Sequence, residues 1–96
     1  MLPLEKDYAK HVYHLFVVRV SQRNKCQLHL QRNGVRTQIH YPIPVHLQQA
    51  YAEFRSIPNM SVTQTICDQI LSLPLYPQLA HDEVAYIAGV IKNASR

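Results

Sequence analysis

Glycine is scarce in this sequence, tryptophan is absent, and over one long stretch negative charge is missing. With two glycines in 96 residues, no glycine-rich phosphate loop or dinucleotide fingerprint can be built, because both need several glycines close together. Two cysteines, Cys26 and Cys67, make no disulfide framework. The expectation is a pair of reduced, mostly buried thiols. The longest apolar runs, such as Leu15–Val18, are far too short to span a bilayer, so no membrane partner is expected. Glu5 and Asp7 interrupt the first residues, which therefore do not read as a secretion signal, and the expected location is the cytoplasm.

No acid lies between Asp7 and Glu53, while Lys10, Arg19, Arg23, Lys25, Arg32 and Arg36 fall inside that gap. The formal net charge is +4. Such a stretch can favour phosphates of a nucleotide or a nucleic acid, and Arg32 and Arg36 are the phosphate-attracting candidates. The plainer reading is a solvated helix face beside a strand. No aromatic residue sits in an RNP-like motif, so nucleic acid is not the expected partner.

What the chain does contain reads as globular, with 47% hydrophobic and 17% charged residues. One domain over 1–96 is expected, with 1–9 a loosely packed lead-in. "HVYHLFVVRV", 11–20, is β-branched and aromatic without a breaker and predicts a strand. A helix follows over 21–33, with Cys26 and Leu30 on its apolar side and Asn33-Gly34 as its stop. From Val35 to Tyr41 the pattern alternates: Val35, Thr37, Ile39 and Tyr41 on one face, Arg36, Gln38 and His40 on the other. Pro42 ends that strand, and 46–54 reads as a helical turn or a loop. Ser61 and Gln64 fit a capping box ahead of Val62, Ile66 and Ile70. "LSLPLYP" is a short or edge strand because of Pro74. Asp82 and Glu83 suit the first turn of a last helix, whose stripe is Val84, Ile87, Ala88 and Ile91. The order predicts a small α+β fold: an antiparallel or mixed sheet with helices packed on one side.

His40, Tyr41 and His46 are the candidates for chemistry, on a segment stiffened by Pro42 and Pro44. Histidine is the usual acid or base near neutral pH, and proline fixes a turn at low entropic cost. The spacing of His40 and His46 is poor for a metal, and no acid lies near to supply a third ligand, so no metal site is read. His11 and His14 suit packed or surface roles on opposite faces of the first strand, and His29 and His81 suit helix surfaces. A cysteine nucleophile paired with a histidine is conceivable, but both cysteines stand at apolar-face positions and read as structural.

"HVYHLFVVRV", "GVRTQIHYPIPVHLQQAY" and "ILSLPLYPQLAHDEVAYI", in this order, closely resemble the C-terminal domain of the DegT/DnrJ/EryC1/StrS aminotransferases, from about Tyr8 to Lys92. The resemblance implies the small domain of a pyridoxal-phosphate enzyme that aminates keto-sugars carried on nucleotides. In that family the loop matching Tyr41 to His46 faces the substrate, which makes His40, Tyr41 and His46 substrate-side candidates. Three positions depart from the family pattern. Gln49 stands where a proline often follows "HLQ", and Gln64 where a glutamate starts the second helix. Ala80 stands where threonine caps the last, a change expected to cost about 1 kcal/mol at that helix end.

The family's cofactor lysine belongs to a large domain that has no counterpart here. Lys6, Lys10, Lys25 and Lys92 resemble no cofactor-lysine context. The resemblance therefore implies a stand-alone or truncated C-terminal domain, inactive alone, with no catalytic residue and no cofactor of its own. Its expected partners are a separate large domain and, through it, a nucleotide-sugar. Ile43, Val45, Leu47, Leu2 and Leu4 would then need cover, with self-association into a homo-oligomer as one remedy. Two alternatives stand beside this reading: a non-catalytic binding or interaction module that keeps the fold, and a nucleic-acid binder through the basic 10–36 stretch.

Overall fold

Apolar residues from four segments close on one small core, and the computed structural model describes residues 1–54 and 59–94 of the chain. In order the elements are β1 (Phe16–Arg19), α1 (Arg23–Arg32), two 3₁₀ segments (Val45–Leu47 and Gln49–Phe54), α2 (Ser61–Gln69), β2 (Ile70–Leu73) and α3 (His81–Ala94). This is the α+β architecture expected. β1 and β2 pair antiparallel, with Val18 opposite Leu71 and Val17 opposite Ser72.

β2 is short, as expected, and lies in a two-stranded sheet, with a single isolated bridge on its outer side. On the side away from β1, Gln38 forms an isolated antiparallel bridge with Ser72. Gln38 N–H donates to the Ser72 carbonyl at 3.2 Å, and Ser72 N–H to the Gln38 carbonyl at 2.8 Å. Pro74 still ends the strand, since it has no N–H to extend the ladder. On the far edge of β1, Arg19 N–H donates to the Met1 carbonyl at 2.9 Å, and the Met1 amine to the Arg19 carbonyl at 2.8 Å.

The first strand is shorter than its composition predicts. Residues 11–15 lie outside it because β2 offers only four partner positions, and Tyr13 adopts a φ of 50°, which breaks an extended run. His11 and His14 are accordingly exposed outside the strand.

The core consists of Val18 and Leu71 from the sheet, Cys26 and Leu30 from α1, Val35, and Val90 from α3. Leu30 and Leu71 are fully buried. Alternation explains the sheet contribution: Phe16, Val18, Leu71 and Leu73 share the face that meets α1 and α3. Val17 and Ser72 belong to the opposite face. The end of α1 is a Schellman turn. Val35 N–H donates to the Leu30 carbonyl at 2.9 Å and Gly34 N–H to Gln31 at 3.1 Å. Gly34 takes the left-handed φ of 78° that this motif requires. The turn also brings Val35 onto Leu30, the apolar contact that usually accompanies it.

Two helix expectations need correction. Met60, not Ser61, precedes α2, and the Ser61 hydroxyl caps nothing. Asn59 Oδ1 instead accepts the Ser61 N–H at 3.0 Å, and Gln64 turns away. Val62 is exposed, at 71%, because α2 meets the sheet only through its other side, and Ile70 belongs to β2. In α3, Ile87, Val90, Ile91 and Ala94 meet the core, while Val84 and Ala88 are exposed. These two, with Ile87 and Ile91, line a groove of about 680 Å³ shared with Met1 and Phe16. The start of α3 keeps half of a capping box: Glu83 Oε2 accepts the Ala80 N–H at 2.8 Å, and Asp82 Oδ1 accepts Glu83 N–H at 3.1 Å. Asp82 thus takes the N–H that a threonine at position 80 would have bound.

Candidate functional site

The bridge at Gln38 decides where the candidate side chains go. Val35, Thr37 and Ile39 turn toward the core, as alternation requires, with Val35 buried and Ile39 packed against the core. Gln38 and His40 fall on the other face, beside Ser72. Residues two apart across a strand pair are diagonal neighbours within reach of a long side chain. His40 uses that reach: its Nδ1 stands 2.8 Å from Ser72 Oγ.

His40 is therefore half-buried and bonded, although alternation sets it on the face opposite Val35 and Ile39. Tyr41 is the converse. The chain bends at His40, the alternation stops, and the Tyr41 ring is 70% exposed instead of packed. It meets His40 edge-on, with ring centroids 5.4 Å apart and planes at 87°.

Pro44 is buried and anchors the loop, and its carbonyl accepts Leu47 N–H at 2.9 Å to close the first 3₁₀ segment. His46 lies on that segment, half-buried. Its Nε2 is 3.1 Å from Gln64 Nε2, so the amide nitrogen donates and the ring proton resides on Nδ1. Each histidine is thus held by a polar side chain from another element, β2 for His40 and α2 for His46. Ser72 and Gln64 are the residues that sequence reasoning missed. The available signal for Ser72 is its place as the lone polar residue of an apolar strand; Gln64 fits a capping box by its spacing, which hides its reach to His46.

The basic stretch does not act as one surface. Arg19 bonds Gln69 Oε1 through Nε at 3.2 Å and Nη2 at 2.7 Å. Arg23 Nη1 bonds the carbonyls of Cys67 and Ile70, each at 3.2 Å. Both are committed to holding α2 and β2. Arg32 and Arg36 are exposed. Arg36 borders a cleft of about 600 Å³ whose walls include Asp82 and Glu83, and these carboxylates lower the positive potential there.

Cys26 is buried and Cys67 partly so. Burial pushes the Cys26 thiol above its ordinary value, which suits a packing residue and not a nucleophile. Among the described residues, no group of three or more His, Cys, Asp or Glu is placed to hold a metal ion. No helix among them is long and apolar enough to cross a membrane.

Residues 1–92 match the model of the DegT/DnrJ/EryC1/StrS aminotransferase family. The dTDP-3-amino-3,6-dideoxy-alpha-D-galactopyranose transaminase of Aneurinibacillus thermoaerophilus is 38% identical over 92 residues, covering 96% of this chain and 25% of that protein. The crystal structure of S. venezuelae DesV in complex with a ketimine intermediate superposes with a TM-score of 0.84 at 37% identity, over 99% of this chain and 26% of that one. That of ntda from Bacillus subtilis with bound cofactor PMP gives 0.78 at 28% identity, over 88% of this chain and 21% of that one. The chain spans about a quarter of the length of the relatives it matches.

Proposed function

The chain belongs to the DegT/DnrJ/EryC1/StrS aminotransferase family, and we propose that it serves as the small C-terminal domain of a nucleotide-sugar aminotransferase, inactive until a large domain completes it. The observation that carries this is the coverage: nearly all of this chain aligns with about a quarter of a dTDP-sugar transaminase. In this reading the loop from Tyr41 to His46 is the wall on the substrate side of the active site. His40 and His46 present ring nitrogens there, and Tyr41 presents an exposed phenol.

The family is one of pyridoxal-phosphate transaminases, in which the cofactor supplies the amino-transfer chemistry. The residues of this chain do not fit that group. It needs an enclosed lysine amine beside a set of phosphate donors. Lys6, Lys10, Lys25 and Lys92 are all exposed. Lys92 borders the 680 Å³ groove, but most of its walls are apolar, among them Leu2, Val20, Leu75 and Ile91, and Arg19 there is already committed to Gln69. The cofactor anchor in this reading belongs to the large domain.

The same reading accounts for the exposed apolar surface. Leu2, Leu4, Ile43 and Val45 are 54–74% exposed, a cost that a covering domain, or a second copy in its absence, would remove. The Cα radius of gyration, 15.6 Å, exceeds the about 12.5 Å expected of a compact chain of this length. The test is complementation. With pyridoxal phosphate, an amino-acid amino donor and a keto-sugar nucleotide, the chain alone gives no transamination, and addition of a separately produced family large domain confers it. Borohydride trapping of the cofactor on one specific lysine of the isolated chain would overturn the proposal.

A further inference from the structure

Ser72 is buried, at 5% exposure, and its backbone is fully committed to Gln38 through both N–H and carbonyl. Its hydroxyl contacts His40 Nδ1 at 2.8 Å. A polar side chain in the middle of an apolar strand loses water and, among the described residues, gains only this partner. We propose that Ser72 is a positioning residue for the substrate-facing loop: it fixes the His40 ring and sets its tautomer, so that Nε2 carries the proton and is presented as a hydrogen-bond donor. The proposal rests on the reading of the loop as a substrate wall for the donor's use, but not for its existence.

The direction of the bond follows from which group can be left unmade. If His40 Nδ1–H donated to Oγ, the Ser72 hydroxyl proton would be buried with no acceptor, and an orphaned donor carries the full desolvation penalty. If the hydroxyl donates to Nδ1, its only proton is satisfied and just lone pairs on Oγ stay idle. An imidazole that accepts at Nδ1 carries its proton at Nε2 when neutral. The edge contact with Tyr41 limits rotation from the other side. A donor N–H offered in one orientation suits an acceptor oxygen of the ligand, such as a hydroxyl, carbonyl or phosphoryl oxygen.

The test is ¹⁵N NMR of the His40 ring in the chain without substrate, at about pH 8.5, where imidazole is neutral. The wild type should show a single Nε2–H tautomer, with the Nδ1 resonance displaced by the accepted hydrogen bond. Ser72→Ala should abolish that displacement and let the ring sample more than one rotamer, while the strand amide resonances stay in place. Ser72→Thr keeps the hydroxyl and should restore the wild-type signature. If the bulkier threonine disturbs the strand amides, Ser72→Cys replaces it, and its weak S–H donor should recover only part of the displacement. A His40 ring protonated at Nδ1, or an unchanged Nδ1 resonance in Ser72→Ala, overturns the proposal. Because no substrate is present, failure of the substrate-wall reading, seen in the complementation assay, leaves this measurement unaffected.

Discussion

The side-chain nitrogen of Gln64 on α2 stands 3.1 Å from His46 Nε2 on the first 3₁₀ segment, joining two elements eighteen residues apart in sequence. That contact takes the glutamine away from the capping box its spacing suggests. It is exposed, so its net worth is at the low end for a hydrogen bond, about 0.5 kcal/mol. Gln64→Ala and His46→Ala should each destabilise by about that amount, and the double variant by little more than either alone. Urea melts of the cycle decide it, and strict additivity would mean that the pair is not coupled.

Arg23 does heavier structural duty. One guanidinium nitrogen serves two carbonyls, Cys67 at the end of α2 and Ile70 at the start of β2, each at 3.2 Å. These bonds are partly buried and charge-assisted, a class of about 1.5–3 kcal/mol each. Arg23→Ala should lower stability by about 2 kcal/mol, and Arg23→Lys should recover part of it, because an ammonium also has donors for two carbonyls but lacks the Nε–H that bonds Asn24 Oδ1. The acceptors are neutral, so the loss should change little with salt. A strong salt dependence would place the arginine in a surface charge network instead.

The two thiols should differ in reactivity. Cys26 is 2% exposed, and burial raises its pKa, so at neutral pH less of it is thiolate and none is reachable without opening the core. Iodoacetamide at pH 7.5 should label Cys67 first. Cys26 should react only in step with unfolding. Mass mapping of partially labelled protein checks the order. Faster labelling of Cys26 would contradict its burial.

Where local signals and packing agreed, the fold was legible. Asn33-Gly34 marked the end of α1, Asp82 and Glu83 the start of α3, and alternation placed Val35, Thr37 and Ile39 correctly. The errors share one cause: a local pattern carries no information about its partner. Composition favoured a strand over 11–20, but only four residues find a mate on β2. For the last helix the stripe read from spacing was Val84, Ile87, Ala88 and Ile91, but the core took Ile87, Val90, Ile91 and Ala94, leaving Val84 and Ala88 on the groove. At the candidate site the sequence named His40, Tyr41 and His46. It could not place Ser72 or Gln64 beside the histidines, because both act through neighbours that only the folded chain supplies.

Tyr41 shows the consequence most directly. Alternation put its ring in the core, where replacement by alanine would cost about 3 kcal/mol. The bend at His40 leaves the ring 70% exposed, so Tyr41→Ala should change stability by no more than about 0.5 kcal/mol. Thermal melts of the variant beside wild type measure it. A loss of several kcal/mol would mean that the ring is covered in solution, as by a second copy of the chain, and dilution would then reduce the difference.

Thr37, placed as alternation predicts in the same 35–41 segment, carries a cost of its own. It lies between Val35 and Ile39 on the core-facing side, and its Oγ1 is buried without a hydrogen-bond partner. An unsatisfied buried hydroxyl costs about 1–3 kcal/mol, whereas valine keeps the branched shape and removes the polar atom. Thr37→Val should therefore stabilise the chain by about 1 kcal/mol, raising the denaturant midpoint with an unchanged slope. Thr37→Ser is the control: it keeps the hydroxyl, loses the methyl contact, and should destabilise by about 1 kcal/mol. If valine instead destabilises while serine is neutral, the hydroxyl is making a hydrogen bond in solution, to an ordered water or to a shifted backbone carbonyl.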